Sequence, residues 1–219
     1  DIWVLNSLYD TLLQSTQDGT GIEPMLATAI EAAADGLSYT VTLRDGIKFA
    51  DGSDITTDDV VWSLDRARNP DNGIWSFSLE SVESVEAVGD NQVVLNLNRQ
   101  DPVIPAALAM FNSAIMPKAL FEASPGETDA EKAEAFAQKP VGSGPFVLTE
   151  WARGSHMVLE RNPHYWQVDA DGGQLPYLDS LRFEIIPEDA TRILKLQAGV
   201  IDGAGFIPLS RVAELQADP

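Results

Sequence analysis

Residues 140–166 read PVGSGPFVLTEWARGSHMVLERNPHYW, and residues 175–203 read LPYLDSLRFEIIPEDATRILKLQAGVIDG. Apolar and polar side chains alternate over 146–151, a period of two that is typical of a β-strand with one buried face. Gly154 then breaks the alternation, and residues 157–159 resume an extended run that stops at Asn162-Pro163, a strong breaker pair. This part of the chain therefore predicts two strands joined by a tight turn.

The second quoted segment predicts a strand followed by a capped helix. Residues 181–185 alternate again and stop at Pro187. Asp189 is a suitable N-cap for a helix that runs through Gln197, and Gly199 stands where a glycine commonly ends a helix. Mixed helix and strand content is therefore expected here.

Further elements are predicted upstream by turn and capping signals. They are a short helix over 5–13, a hairpin with strands at 39–43 and 47–49 around the turn Asp45-Gly46, a helix opened by Thr56 and Asp59 and closed at Asn69-Pro70, a hairpin with strands at 85–88 and 93–97, a helix over 102–111, and a helix opened by Thr128 and Glu131 that ends at Gln138.

Composition limits the class of protein. The 219 residues include 34 acidic and 14 basic side chains, so the formal net charge is −20, which repels nucleic acid and anionic membranes. Solubility is the simpler reason for this charge, and steering of cationic ligands is the alternative. There is no cysteine, and no apolar run approaches the roughly 20 residues of a membrane helix. The sequence contains no signal peptide, so a mature or trimmed chain is expected.

The sequence contains no convincing motif for a catalytic or a metal-binding site. His156 and His164 are eight residues apart without a carboxylate at ligand spacing, which favours surface histidines. Residues 169–173 resemble a calcium loop only faintly, because further oxygen ligands are missing. Residues 142–144 form neither a nucleophile elbow nor a phosphate loop. We therefore expect no enzyme, no metal and no cofactor. A secreted hydrolase is the disfavoured alternative, and a partner-binding module without ligand stays open.

Aromatic residues offer candidates for binding. Trp75 and Phe77 follow Pro70 in a polar, loop-like stretch, and an exposed tryptophan there suits the wall of a ligand site. The alternative is that Trp75 fills the core of its lobe. Core or packing roles are expected for the remaining aromatic candidates, which are Trp62, Trp151, Tyr165 and Trp166.

Taken in order, the motifs of the chain resemble extracellular solute-binding protein family 5, the binding proteins of peptide- and nickel-type bacterial ABC importers. The motifs that carry the resemblance are Leu8-Tyr9-Asp10, Phe49-Ala50-Asp51-Gly52-Ser53, Thr57-Asp58-Asp59-Val60, Gly142-Ser143-Gly144-Pro145-Phe146, Glu150-Trp151 through Trp166, Pro176-Tyr177-Leu178-Asp179, and Ala190-Thr191-Arg192 through Asp202. Ser143 replaces the commoner threonine. The resemblance covers nearly the whole chain.

The resemblance implies an architecture. It implies a mixed α/β lobe of the type II periplasmic-binding-protein kind, with a hairpin-rich mixed sheet and peripheral helices. Residues 1–38 and 139–219 are expected to form a discontinuous core lobe, with 39–138 as an inserted subdomain. A second lobe is expected to be absent from this chain, and the segment that usually precedes Leu8-Tyr9-Asp10 is expected to be truncated.

The resemblance also implies a function. An extracytoplasmic, monomeric binding protein is expected to capture a peptide-like solute between two lobes and deliver it to the transmembrane subunits of an ABC permease. A nickel complex, an opine or an oligosaccharide is the alternative solute. The expected cleft residues are Trp75, Ser76, Phe77, Met110, Phe111, Asn112 and Ser113. The expected hinge or crossover residues are Gly142, Ser143, Gly144, Gly205 and Phe206.

Overall fold

The computed structural model describes residues 2–216, apart from the side chains of residues 213 and 214. It contains both helix and sheet, as predicted. The helices are α1 (Ile2–Leu8), α2 (Thr57–Arg68), α3 (Ile104–Ala107), α4 (Lys118–Glu122), α5 (Asp129–Gln138), α6 (Asp189–Gln197) and α7 (Leu209–Gln216). The strands are β1 (Leu13–Ser15), β2 (Ile22–Pro24), β3 (Ala27–Ala32), β4 (Ser38–Leu43), β5 (Val82–Val88), β6 (Gln92–Leu97), β7 (Phe146–Ala152), β8 (His156–Arg161) and β9 (Ser180–Glu184). Short 3₁₀ helices cover Pro70–Asn72, Ile74–Leu79 and Phe111–Ser113.

The four-stranded sheet has the order β3-β4-β6-β5, and each neighbouring pair is antiparallel. Tyr39 lies opposite Leu95, and Val41 lies opposite Val93. These four side chains are buried, while their neighbours along each strand are less buried. The predicted alternation over 39–43 and the predicted β5–β6 hairpin are both confirmed.

The hairpin predicted around Asp45-Gly46 is wrong. The turn forms, with Gly46 at φ +69°, but residues 47–49 do not pair with β4. Strand β4 already has β3 on one side and β6 on the other, so it has no free edge for a third partner. Instead, Ile47 and Phe49 bury their side chains in the core from a loop, and the Phe49 amide donates to Ser53 O at 2.9 Å.

Both predicted capping boxes are confirmed. At α2, the Thr56 hydroxyl accepts from the Asp59 amide at 3.2 Å, and the Asp59 carboxylate accepts from the Thr56 amide at 3.0 Å. The other oxygen of this buried carboxylate accepts from the Lys118 amide at 2.9 Å, which ties α2 to α4. Thr128 and Glu131 make the equivalent exchange at α5.

The first helix differs from the prediction. A helix was expected over 5–13, but α1 ends at Leu8. The Gly144 amide donates to Leu8 O at 2.9 Å, and the Met25 amide donates to Leu12 O at 3.0 Å. These carbonyls therefore bind distant parts of the chain, and the helix cannot continue past them.

Two other helices also differ in extent. The helix predicted over 102–111 is reduced to the four residues of α3, followed by a separate 3₁₀ turn. Leu108 O, just beyond α3, accepts from the Leu13 amide at 3.5 Å. Helix α6 has Glu188 as its N-cap rather than Asp189, while Gly199 follows its last turn at φ +65°, as predicted.

The described chain divides into two compact units. The first contains residues 2–149 and 159–181, and the second contains residues 150–158 and 182–216. The main hydrophobic core lies in the first unit, where β5 and β6 pack against α2 and β4 also contributes buried side chains. In the second unit, Lys195 of α6 pairs with Glu184 at 2.7 Å.

Candidate ligand-binding surface

Two turns of 3₁₀ helix in the first unit bring three aromatic rings together. Trp75 and Phe77 belong to the turn Ile74–Leu79, and Phe111 begins the turn Phe111–Ser113. The rings of Trp75 and Phe111 meet edge-on, with centroids 5.2 Å apart and planes at 77°. Trp75 and Phe77 are tilted by 34° at 5.8 Å. We call these three residues the aromatic platform.

Two of the three rings of the platform, those of Trp75 and Phe77, are exposed, and Phe111 is half-buried. The exposed fraction is 40% for Trp75 and 60% for Phe77, and the preceding Ile74 is 83% exposed. Contiguous apolar groups that stay accessible to water commonly mark a binding surface. The turn that carries them starts at Gly73, whose φ of +152° is a conformation that other residues rarely adopt.

Uncharged hydrogen bonds hold the platform from beneath. Asn112 Nδ2 donates to Ser78 Oγ at 2.9 Å and to Trp75 O at 3.3 Å. Ser78 Oγ donates to the same Trp75 carbonyl at 2.9 Å. Asn112 Oδ1 is buried without a hydrogen-bond partner among the described residues. Asn112 therefore joins the two turns and fixes the backbone from which Trp75 projects.

The expected cleft residues divide by exposure. Trp75, Phe77, Phe111 and Asn112 lie together, as described. Ser76 and Met110 are half-buried. Ser113 is fully buried, and its hydroxyl donates to Ala107 O at 2.8 Å, which closes the turn after α3.

Gly142, Ser143 and Gly144 lie at a different place, where the backbone passes directly over Leu8 and Tyr9. A Cβ atom on Gly142 would lie 1.8 Å from Leu8 O, and one on Gly144 would lie 2.7 Å from the Tyr9 amide nitrogen. Only glycine permits this close approach of two backbones. We call the contact of residues 8–10 with residues 142–144 the crossing.

A buried carboxylate completes the crossing. Asp10 is fully buried, its amide donates to Ser143 Oγ at 2.9 Å, and its Oδ2 accepts from Trp166 Nε1 at 2.8 Å. Its Oδ1 has no partner among the described residues. Burial raises the pKa of Asp10 to about 7, although the hydrogen bond from Trp166 acts in the opposite direction. The guanidinium of Arg44 lies 4.4 Å from the Trp166 ring centroid.

This cluster was missed by sequence reasoning, and the distances along the chain explain why. Asp10 and Trp166 are 156 residues apart, and Asp10 and Ser143 are 133 apart. Each residue lies in a family motif, which was the available signal. Desolvation, followed by the nearby Asp10 charge, raises the pKa of Tyr165 as well.

The remaining crossover candidates lie in the second unit. Gly205 and Phe206 are exposed, and Phe206 has a φ of +57°, which is uncommon for a residue other than glycine. Arg192 holds this loop, since its Nη2 donates to Phe206 O at 3.0 Å and to Asp189 at 2.6 Å. Its Nη1 donates to Ile186 O at 2.8 Å.

The four other aromatic candidates have separate environments. Tyr165 is buried and Trp166 packs against the core, while the Trp62 ring lies 5.0 Å from that of Phe121. Trp151 differs from the expected packing role, because 39% of it is exposed and Arg153 stacks on its ring at 4.8 Å. Strand β7 ends at the next residue, so this side chain lies near a hairpin turn.

Two further ionisable side chains, His156 and Asp169, form hydrogen bonds with residues close to them in the chain. His156 bonds Glu150 and Ser155, each at 3.0 Å. The Asp169 carboxylate accepts from two amides of its own loop and from the Tyr177 hydroxyl, and the Tyr177 bond is the largest reason that its pKa is lowered. Among residues 2–216, no group of three or more histidine, aspartate or glutamate side chains is arranged to hold a metal ion.

Within the described part of the chain, no helix is both long and apolar enough to cross a membrane.

Comparison with known proteins identifies the class. The family model for bacterial extracellular solute-binding proteins, family 5 (middle), matches residues 21–219, and the chain belongs to this family. The resemblance based on the motifs is thereby confirmed.

Individual relatives extend the comparison. The chain is 33% identical to heme-binding protein A of Haemophilus influenzae over 97% of its own length and 40% of that protein. It is 34% identical to the oligopeptide-binding protein AppA of Bacillus subtilis, over 90% of this chain and 35% of that protein. The chain thus spans about two fifths or less of these relatives.

A solved structure supports the fold. The structure of the PBP AgaA in complex with agropinic acid, from A. tumefaciens R10, has a TM-score of 0.85 and 28% identity. The match covers 99% of this chain and 41% of that chain. The predicted fold class, a mixed α/β lobe of a periplasmic binding protein, is confirmed.

Proposed function

We propose that this chain is part of the extracytoplasmic solute-binding component of an ABC importer. The whole protein captures a peptide-like solute between two lobes and delivers it to the transmembrane subunits of the permease. Family membership supports the class of protein. The observation that carries a binding role for this chain is the aromatic platform, in which Trp75 and Phe77 are exposed and Trp75 packs on Phe111.

The chemistry of the platform suits a peptide. A peptide offers backbone carbonyls that accept hydrogen bonds, together with side chains that can be covered by rings. The side chains of Trp75 and Phe77 are 40% and 60% exposed, so their rings are accessible to a ligand, and an indole N–H can donate to a carbonyl. The oligopeptide-binding relative supports the same solute class.

The proposed oligomeric state, location and lack of chemistry follow from the class of solute-binding proteins. The protein works as a monomer outside the cytoplasm, without a cofactor and without a bond-breaking step. The net charge of −20 is unfavourable for nucleic acid as a partner. Ser76, Met110 and Ser113 support the platform in this proposal, because they are half-buried or fully buried.

The division into lobes is part of the same proposal. Residues 39–138 form the inserted subdomain, and residues 1–38 and 139–219 form the core lobe, of which residues 1 and 217–219 lie outside the described part. The tight packing of Gly142 and Gly144 supports a fixed crossover. The exposure of Gly205 and Phe206 supports a passage that can adjust when a second lobe closes.

A thermal-shift screen of the mature, two-lobed protein tests this function. Peptides of two to nine residues, nickel complexes, opines and oligosaccharides are added one at a time. A ligand at one hundred times its dissociation constant stabilises a protein by about 2.7 kcal/mol. We expect stabilisation by peptides. Stabilisation by one of the other solutes alone would replace the peptide-like substrate, and stabilisation by none would contradict the binding function.

A further inference from the structure

We infer that the aromatic platform of Trp75, Phe77 and Phe111 binds a cationic group of the solute, such as the guanidinium of an arginine side chain, against the open faces of its rings. This rests on the proposed function and names the chemical group of a peptide-like solute that the surface takes. The face of an aromatic ring is negative, and it attracts a cation that lies within about 6 Å of its centroid.

Other rings of the same chain already bind a cation in this way. The guanidinium carbon of Arg153 lies 4.8 Å from the ring centroid of Trp151. In the first unit, that of Arg44 lies 4.4 Å from the ring centroid of Trp166. Trp151 and Trp75 are equally accessible, at 39% and 40% exposed, but no arginine or lysine of the described residues stacks on Trp75. The ring of Trp75 is therefore open to a cation from another molecule.

Arginines close to the platform in the chain have carboxylate partners of their own. Arg68, at the end of the helix that precedes the platform, pairs with Asp65 at 2.7 Å. Glu80, which follows the turn that carries Trp75, pairs with Arg99 Nη2 at 2.5 Å. Because each of these positive charges is neutralised by a carboxylate, it repels an incoming cation only weakly.

Two negative groups beside the platform lack such a partner. Asp71 lies in the turn Pro70–Asn72, which packs against the turn Ile74–Leu79, and its exposed carboxylate forms no ion pair within residues 2–216. Asn112 Oδ1 is a buried acceptor without a described partner, and the hydrogen bond from Asn112 Nδ2 to the Trp75 carbonyl places it next to the platform. Both groups favour a positive charge on the rings, and the net charge of −20 attracts cations from a longer distance.

The rings are held in place before a ligand binds. Phe111 meets Trp75 edge-on at 5.2 Å, and Phe77 lies 5.8 Å from Trp75 with its plane tilted by 34°. A planar guanidinium can stack on the open face of Trp75 while the rings keep these positions. Because a guanidinium is less strongly hydrated than an ammonium, we expect arginine to be preferred over lysine.

The test uses the mature protein and tripeptides of alanine that carry either arginine or citrulline at the first, second or third position. Citrulline has almost the shape of arginine but no charge. Dissociation constants are measured by calorimetry at about 0.05 M and about 0.5 M salt, because salt screens the long-range attraction of the whole protein and leaves the contact with the rings. We expect arginine to be preferred by about threefold to tenfold at one of the three positions, at both salt concentrations.

Three variants locate the preference. Trp75→Leu keeps an apolar side chain but removes the negative ring face, and Trp75→Phe retains an aromatic face. Trp151→Leu is the matched control, because it removes a tryptophan of the same exposure from the second unit. We expect the preference for arginine to fall below about twofold in Trp75→Leu, to be largely kept in Trp75→Phe, and to stay unchanged in Trp151→Leu.

Each result supports or overturns the inference. A preference for arginine that Trp75→Leu abolishes and Trp151→Leu does not supports it. Equal affinities for arginine and citrulline at all three positions, or a preference that survives in Trp75→Leu, overturn it and leave the peptide-binding function standing. If no peptide binds while another solute stabilises the protein, the peptide-like substrate and this inference are both overturned.

Discussion

The aromatic platform and the crossing lie in the same compact unit, and they use polar and apolar groups in opposite ways. At the crossing, a carboxylate is buried and two backbones touch, with Asp10 fully buried and Gly142 directly over Leu8. At the platform, uncharged polar groups lie beneath rings that remain open to water, with Asn112 under Trp75. The crossing is suited to holding the fold, and the platform is suited to contact with another molecule.

The largest expected effect tests the crossing through its backbone contact. Gly142→Ala would place a Cβ atom 1.8 Å from Leu8 O, so one of the two segments must move. We expect the free energy of unfolding to fall by about 4 kcal/mol or more, measured by urea denaturation. Gly203→Ala is the matched control, because no atom lies within 4 Å of its Cβ, and it should change stability by about 0.5 kcal/mol or less. A small effect of Gly142→Ala would show that the crossing is not tightly packed.

The second prediction concerns the buried charge of the crossing. The pKa of Asp10 is raised to about 7 in the folded protein, against about 3.9 in an unfolded chain. The folded state therefore binds the proton more tightly, and the contribution of Asp10 to stability is fully present below about pH 4 and is lost as the pH rises towards 7. The loss approaches roughly 4 kcal/mol, at about 1.4 kcal/mol per pH unit.

Asp10→Asn isolates this contribution. Asparagine does not titrate and can still accept from Trp166 Nε1, so the fall in stability between pH 4 and 7 should become smaller than in the original chain. Asp18→Asn is the control, because the titration of Asp18 affects stability in a different, more acidic pH range. Hydrogen bonds from the Thr16 hydroxyl and from Thr20 lower the pKa of this exposed carboxyl to about 2, so its stabilisation is lost only as the pH falls towards 2. Identical pH profiles for the original chain and Asp10→Asn would contradict the raised pKa.

The third prediction tests the support of the platform. Asn112→Ala removes two hydrogen bonds, to Trp75 O and Ser78 Oγ, and should lower the free energy of unfolding by about 1–2 kcal/mol. The Trp75 ring should also become more accessible to a quencher such as acrylamide. Asn98→Ala is the control, because its exposed side chain makes only long bonds: it donates to Glu80 O at 3.3 Å and accepts from Arg99 Nη1 at 3.4 Å. Equal stability losses in the two variants would mean that Asn112 does not hold the platform.

The sequence predicted correctly those elements that depend on interactions between residues close together in the chain. The Thr56–Asp59 capping box fixed the start of α2, because both of its hydrogen bonds lie within one turn of helix. The β5–β6 hairpin followed from alternation on both sides of a short turn at Gly89. Such features depend little on the rest of the fold.

Competition between distant segments explains the errors. The Asp45-Gly46 turn looks like a hairpin in isolation, but β3 and β6 occupy both edges of β4. Helix α1 stops at Leu8 because Gly144, far along the chain, binds the Leu8 carbonyl. The contacts of Asp10 with Ser143 and Trp166 also join distant segments, so the periodicity of the sequence cannot predict them. Trp75 was named from its sequence context, whereas its contact with Phe111 required the structure.

The measurement that tests the central claim most directly compares stability and binding in one variant. Trp75→Ala is made in the mature protein, and its free energy of unfolding is measured together with its affinity for the tightest ligand of the thermal-shift screen. Because the side chain is 40% exposed, we expect a stability change of about 1 kcal/mol or less and a loss of affinity of at least about tenfold. A loss of stability of about 3–5 kcal/mol with unchanged affinity would contradict the account, because it would place Trp75 in the core rather than on the binding surface.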